Sequence, residues 1–239
     1  LSFLQIFRLG LVQMALGAIV VLTTSTLNRL MVVEFALPAA LPGLLVGLHY
    51  GVQLSRPHWG FTSDKGGKRT RWIIGGMGLL ALGGIGAALG VTLFAQSYQL
   101  ALLLSLLAYA LIGVGVGASG TSLLALLATA TASHQRAAAA MITWLMMIFG
   151  IALTAGLAGS FLDPYSASRL MMVVSVICVA AFVVTILAMG RIERGLRLKA
   201  EPASMSFIDG MRDVWRETRT RHFTIFVFLS MNAYFMQEL

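Results

Sequence analysis

The sequence predicts an all-α integral membrane protein, and three observations carry that reading. Hydrophobic residues make up 58% of the 239 positions and charged residues only 11%, against roughly 25% charged in ordinary soluble domains. Apolar runs close to the ~20 residues that cross a bilayer as a helix recur along the chain. Period-two alternation, the mark of a membrane barrel, is absent, so helices are the remaining way to satisfy backbone N–H and C=O groups in lipid.

Six complete spans are expected: about 9–27, 41–54, 72–94, 100–124, 138–161 and 170–189. A seventh begins near Phe223. The second apolar core is short, and its flanks at Pro42 and Arg56-Pro57 extend it towards the interface. This divides the chain into a six-helix half, 1–189, a polar connector, 190–222, and the start of a seventh helix, 223–239. The chain opens on Leu1 rather than Met and stops inside an apolar run at Leu239, so a longer polypeptide is expected. No cleavable signal peptide is evident. The single cysteine, Cys178, lies in an apolar run and reads as a small packing residue.

Fifteen of the 17 Lys and Arg residues fall on one side of the predicted spans, and two, Arg29 and Arg169, on the other. This bias places the amino terminus, the 60–71 link and the connector in the cytoplasm. The net charge of +8 is thus a topology signal, and nucleic acid is not an expected partner. In the connector, Phe207, Ile208, Met211, Val214 and Trp215 recur at near-helical spacing among charged residues. They predict an amphipathic helix suited to an anionic lipid surface or a protein partner.

The link "GFTSDKGGKRTR" concentrates five charges between two apolar runs. Gly60, Asp64, Lys65, Gly67, Lys68 and Arg69 match G-x-x-x-D-[RK]-x-G-[RK]-[RK]. Gly60 allows a helix end to approach its neighbour, Gly67 permits a tight reversal, and Asp64 can face a helix N-terminus or an arginine. In sequence and position this link resembles the signature of the major facilitator superfamily. That resemblance implies a two-half transporter fold of which this chain supplies the amino-terminal six-helix half, with the link as a latch between states.

Five stretches resemble a narrower family: "TLNRLMVVEFALPA" (26–39), "RPHWGFTSDKGGKRTRWIIGGM" (56–77), "GVGVGASGTSLLALL" (113–127), "RAAAAMITWLMMIFGIALTAGLAGSFLDPYS" (136–166) and "HFTIFVFLSMNAYFMQEL" (222–239). They are similar to the light-harvesting-complex assembly proteins of purple bacteria, of the PucC and LhaA type. The resemblance implies a non-enzymatic protein of the photosynthetic inner membrane that assembles antenna complexes, either by delivering or inserting bacteriochlorophyll as cargo or by stabilising pigment-loaded antenna apoproteins. It also implies antenna apoproteins or a reaction-centre antenna complex, membrane lipids and pigment-synthesis enzymes as partners. Secondary transport of a small solute is the alternative. Gly115, Gly117 and Gly120 spell G-x-G-x-x-G, but inside an apolar span with no strand before them, so close helix packing is expected there rather than a nucleotide.

Candidate contact residues follow. His49 falls deep in the second span, where an imidazole makes an interhelical hydrogen bond, lies exposed at the lipid edge or, facing a cavity, ligates a chlorin magnesium. No other metal site is expected. Asn28, Arg29 and Glu34 lie at the mouth opposite the basic link, either as an interfacial ion pair or as a substrate or partner contact. Gln13, Thr23, Thr24, Ser25 and Thr26 on helix one either line a cavity or bond their own helix carbonyls. Gln237 and Glu238 enter the seventh span, where an intramembrane acid is a functional candidate.

Overall fold

A computed structural model describes residues 1–65, 68–193 and 207–236. The described residues fall into two units, 1–200 and 201–239. All regular structure in them is helical.

The first helix is longer than the sequence suggests. It runs as α1 (Phe3–Val21), a π-helical turn (Leu22–Thr26) and α2 (Leu27–Val33). Thr23 and Thr24 turn their hydroxyls onto the Val20 carbonyl, both at 2.9 Å, which competes with the regular ladder where it widens. The second expected span, 41–54, is corrected to a broken helix. Here α3 (Ala40–Val52) passes through a 3-10 turn (Gln53–Ser55) into α4 (Arg56–Lys65). Pro57 has no N–H to return to the carbonyl four residues back, so the ladder tightens just before it. At ~1.5 Å per residue, α3 alone reaches about 20 Å, short of a ~30 Å hydrocarbon core.

The remaining spans lie close to expectation: α5 (Arg69–Leu93), α6 (Tyr98–Ala130), α7 (Arg136–Phe161) and α8 (Ala167–Met189). With the continuous first segment, these make five helices long and apolar enough to cross a membrane among the described residues.

Glycine fixes how the bundle closes. Gly76, Gly83 and Gly90 repeat every seven residues along α5, and each faces α6 at backbone distance. A Cβ on Gly76 would lie 2.5 Å from Ser119 N, and one on Gly83 would lie 2.9 Å from Ala108 O. A period of seven keeps such a seam on one side of two helices that coil left-handedly. The G-x-G-x-x-G of α6 is divided among three neighbours: Gly115 against Leu80 of α5, Gly117 against Trp59 of α4 and Gly120 against Leu16 of α1. Helix packing accounts for all three. Gly150 of α7 seats on the Met14 carbonyl of α1, and Cys178 of α8 fills the space over Gly84. At one end of the bundle, Arg8 donates Nε–H to the Ala188 carbonyl at 2.9 Å and a second N–H to the Gly190 carbonyl. A cation thereby meets the carbonyls that end α8.

The second unit holds α9 (Phe207–Arg216) and α10 (Thr218–Met236). In α9, Arg212 pairs with Asp209 at 3.8 Å. The seventh helix starts at Thr218 rather than near Phe223, so the expected boundary at 222 falls inside α10. Only Glu217 separates α9 from α10, and its carboxylate accepts the Thr220 hydroxyl at 2.8 Å.

Candidate functional site

Two polar centres stand at opposite ends of the first unit. At the basic end Arg69 opens α5 with a side chain 11% exposed, and its guanidinium gathers three elements. It donates Nε–H and Nη2–H to Asp64 Oδ1, at 3.0 and 2.5 Å, and Nη1–H to the Ala125 carbonyl at 3.1 Å and to Thr129 Oγ1. Asp64, 56% exposed, meets an arginine of its own link. The free N–H groups at the head of α5 go instead to a residue the sequence reading did not single out. Glu193 Oε1 accepts the backbone N–H of Arg69 at 2.8 Å and of Thr70 at 3.2 Å, a carboxylate on a helix amino end. Nothing near Glu193 in sequence signals this, because its partners lie more than 120 positions away. A Cβ at Gly60 would meet only Thr121 Cγ2, at 3.4 Å, so the close approach expected there is ordinary contact. Gly67 lies outside the described residues. Lys65 and Lys68 are exposed.

At the other end, a cavity of about 300 Å³ is lined by Ser25, Thr26, Arg29, Glu34, Asp163 and Tyr165, among others. Arg29 and Glu34 share this wall without forming an ion pair among the described residues. The π turn lies beside it. Asn28 donates to the Thr24 carbonyl at 2.7 Å, and the fully buried Tyr109 of α6 donates to the Thr23 carbonyl at 2.7 Å, with Asn28 Oδ1 3.2 Å away. Tyr165 stands edge-on to Phe35, with ring centroids 5.9 Å apart. Its hydroxyl is buried without a partner among the described residues. Burial, with the Glu34 carboxylate nearby, pushes that phenol above its ordinary value, so it stays a neutral donor. Tyr109 and Tyr165 escaped the sequence reading because tyrosines in apolar or loop sequence carry no periodic signal. Gln13 is buried and turns its amide towards Met147 Sδ at 3.4 Å.

Tyr109→Phe removes the hydroxyl that meets a buried carbonyl at the π turn. A loss of about 1–3 kcal/mol is expected. Thermal unfolding of the variant in detergent checks it, and an unchanged midpoint would show that the π turn holds without Tyr109.

His49 is buried between the two centres. Its Nε2 lies 2.8 Å from Gln53 Nε2, and Gln53 Oε1 in turn accepts from Arg56. A guanidinium only donates, which fixes the amide with its NH2 towards the ring. His49 Nε2 is therefore an acceptor, and the proton of the neutral imidazole sits on Nδ1, which is buried without a partner among the described residues. In this arrangement neither ring nitrogen offers a lone pair to magnesium. Ligation would first require Gln53 to let go. No group of three or more His, Cys, Asp or Glu residues suited to holding a metal ion occurs among the described residues. Gln237 and Glu238 lie outside them.

The fold and these centres define a multi-pass helical membrane protein. The model of the PUCC protein family matches residues 26–239, and the chain belongs to that family. It is 61% identical over 240 residues to the "Bacteriochlorophyll synthase 44.5 kDa chain" of Rhodobacter capsulatus, covering 100% of this chain and 56% of that protein. It is 27% identical over 237 residues to "Protein PucC" of Cereibacter sphaeroides, covering 91% of this chain and 50% of the relative. A "Protein PucC" of Rhodobacter capsulatus is 29% identical over 209 residues, 82% of this chain and 45% of that one. The chain spans about half the length of these curated relatives. No solved structure matches it significantly.

Proposed function

We propose that this chain is the amino-terminal part of a major-facilitator-type protein that assembles photosynthetic light-harvesting complexes. It delivers bacteriochlorophyll, or steadies pigment-loaded antenna apoproteins, without catalysing a reaction. The observation that carries the reading is membership of the PUCC family along nearly the whole chain. Its partners are antenna apoproteins or a reaction-centre antenna complex, pigment-synthesis enzymes and membrane lipid. It sits in the bacterial inner membrane, with the basic end, and therefore the amino terminus, in the cytoplasm.

The two-half architecture is supported by the Asp64–Arg69 pair in the link between the second and third spans. It is supported also by relatives about twice as long. Gly43, Gly47 and Gly51 on α3, and Gly156 and Gly159 on α7, meet nothing within 4 Å, leaving two small-residue helix faces open for a second half. Against a synthase reading, Asp64 and Glu193, the acids of the basic end, are engaged in an ion pair and a helix cap. One observation favours the alternative, transport of a small solute. The mouth around Arg29 and Glu34 holds about 300 Å³ with a polar lining, at the small end of the ~300–1,000 Å³ of ligand sites.

The test is the absorption spectrum of the full-length protein, purified in mild detergent from a phototrophic host. Stoichiometric bacteriochlorophyll bands that survive washing are expected, with a several-fold loss in Arg29→Ala and little change in His49→Ala. A colourless preparation from cells actively building antennae would sink pigment carriage and leave a pigment-free scaffold or a solute transporter.

A further inference from the structure

We propose that the cleft between α4, α5 and α6 at the basic end binds an amphiphile with an anionic head and an apolar body. The cleft holds about 780 Å³. Lys65, Lys68 and Arg71 line it together with Trp59 and Trp72, and no carboxylate is among its lining residues. Arg69, the remaining cation of the link, is engaged by Asp64. The other three have no ion pair among the described residues.

Three like charges gathered without a counter-ion repel one another, and an anion placed among them turns that repulsion into attraction. Positive charge on a cytoplasmic loop would serve topology with no cleft at all. The aromatic wall adds what topology does not need. Trp59 already donates its indole N–H to Ser55 Oγ at 2.9 Å, so its ring presents apolar surface, and Trp72 stands 5.7 Å from it at 53°. Gly75, Gly76 and Ala118 keep the floor low. A neutral ligand would leave the cations unpaired, and a small inorganic anion would leave the tryptophan wall uncovered. An acyl or prenyl chain under a phosphate or carboxylate matches both. The site is independent of the pigment-delivery reading.

Native mass spectrometry of the full-length protein tests it with two probes in neutral detergent: phosphatidylglycerol against phosphatidylcholine, and farnesyl diphosphate added alone. The wild type is expected to retain the anionic probe about tenfold better than the zwitterion, given the attraction of clustered Lys and Arg for anionic headgroups. The decisive variant is Gly75→Leu. A Cβ there meets nothing within 4 Å, so the new side chain fills the cleft without disturbing the helices or removing a charge. Lys65→Gln with Lys68→Gln and Arg71→Gln is the companion variant.

Loss of phosphatidylglycerol retention in Gly75→Leu supports the site, with membrane lipid as the source. Unchanged phosphatidylglycerol but lost farnesyl diphosphate supports the same site with a free amphiphile as the source. No difference between wild type and Gly75→Leu for either probe overturns the proposal.

Discussion

Replacing Arg69 by alanine is expected to lower the thermal unfolding midpoint of the full-length protein in detergent by roughly 5–10 °C. The side chain is 11% exposed and donates to Asp64, to the Ala125 carbonyl and to Thr129. Its removal cuts charge-assisted hydrogen bonds worth about 1.5–3 kcal/mol, and each kcal/mol moves the midpoint of a chain this size by about 2–4 °C. The opposite half of the pair behaves differently. Asp64 is 56% exposed, and Asp64→Asn leaves Arg69 its two other acceptors, so a change of under about 1 kcal/mol is expected. The hub is therefore the arginine and its carbonyls. Equal shifts for the two variants would refute that and make the ion pair itself the stabilising element.

Gly76→Val is expected to abolish most of the folded protein, whereas Gly75→Ala, one position away, is expected to be neutral or slightly stabilising. On Gly76 a new Cβ would lie 2.5 Å from Ser119 N and 2.9 Å from Gly115 O, backbone atoms that cannot yield unless α5 and α6 part. Overpacking commonly costs about 1–3 kcal/mol when side chains can yield, and here they cannot supply the space. On Gly75 a Cβ meets open space, and alanine gains up to about 1 kcal/mol of helix propensity over glycine. The monodisperse fraction after detergent solubilisation, read by size-exclusion chromatography, distinguishes them. Matching profiles would mean that the seam can open without loss.

The spans of α5 to α8 were legible because length and apolarity are local properties of a membrane helix. The two departures in the first half were not. Nothing in Leu-Thr-Thr-Ser-Thr distinguishes an α turn from a π turn, since the outcome depends on Tyr109 reaching in from another helix. Pro57 was visible, but it reads in sequence as extending the second span, whereas the helix breaks just before it. At the basic end, Asp64 and Arg69 were readable from five residues of spacing. Glu193 was not, because capping the head of α5 is a tertiary act by a residue that follows α8. At the opposite mouth, Arg29 and Glu34 stood out as charges in an apolar chain, while Tyr165 did not. The same held for glycine: the residues announced close packing, but only the structure divides Gly115, Gly117 and Gly120 among three partners.

The last turn of α8 and the residues just after it are nailed down twice. Arg8 grips the Ala188 and Gly190 carbonyls, and three residues later Glu193 grips the head of α5. Tension arriving along the polypeptide from beyond residue 193 thus meets a riveted exit and is shared between α1, α5 and α8 before it can unwind α8. A pull on this end of the bundle is carried by three helices and not by the last turn of α8 alone.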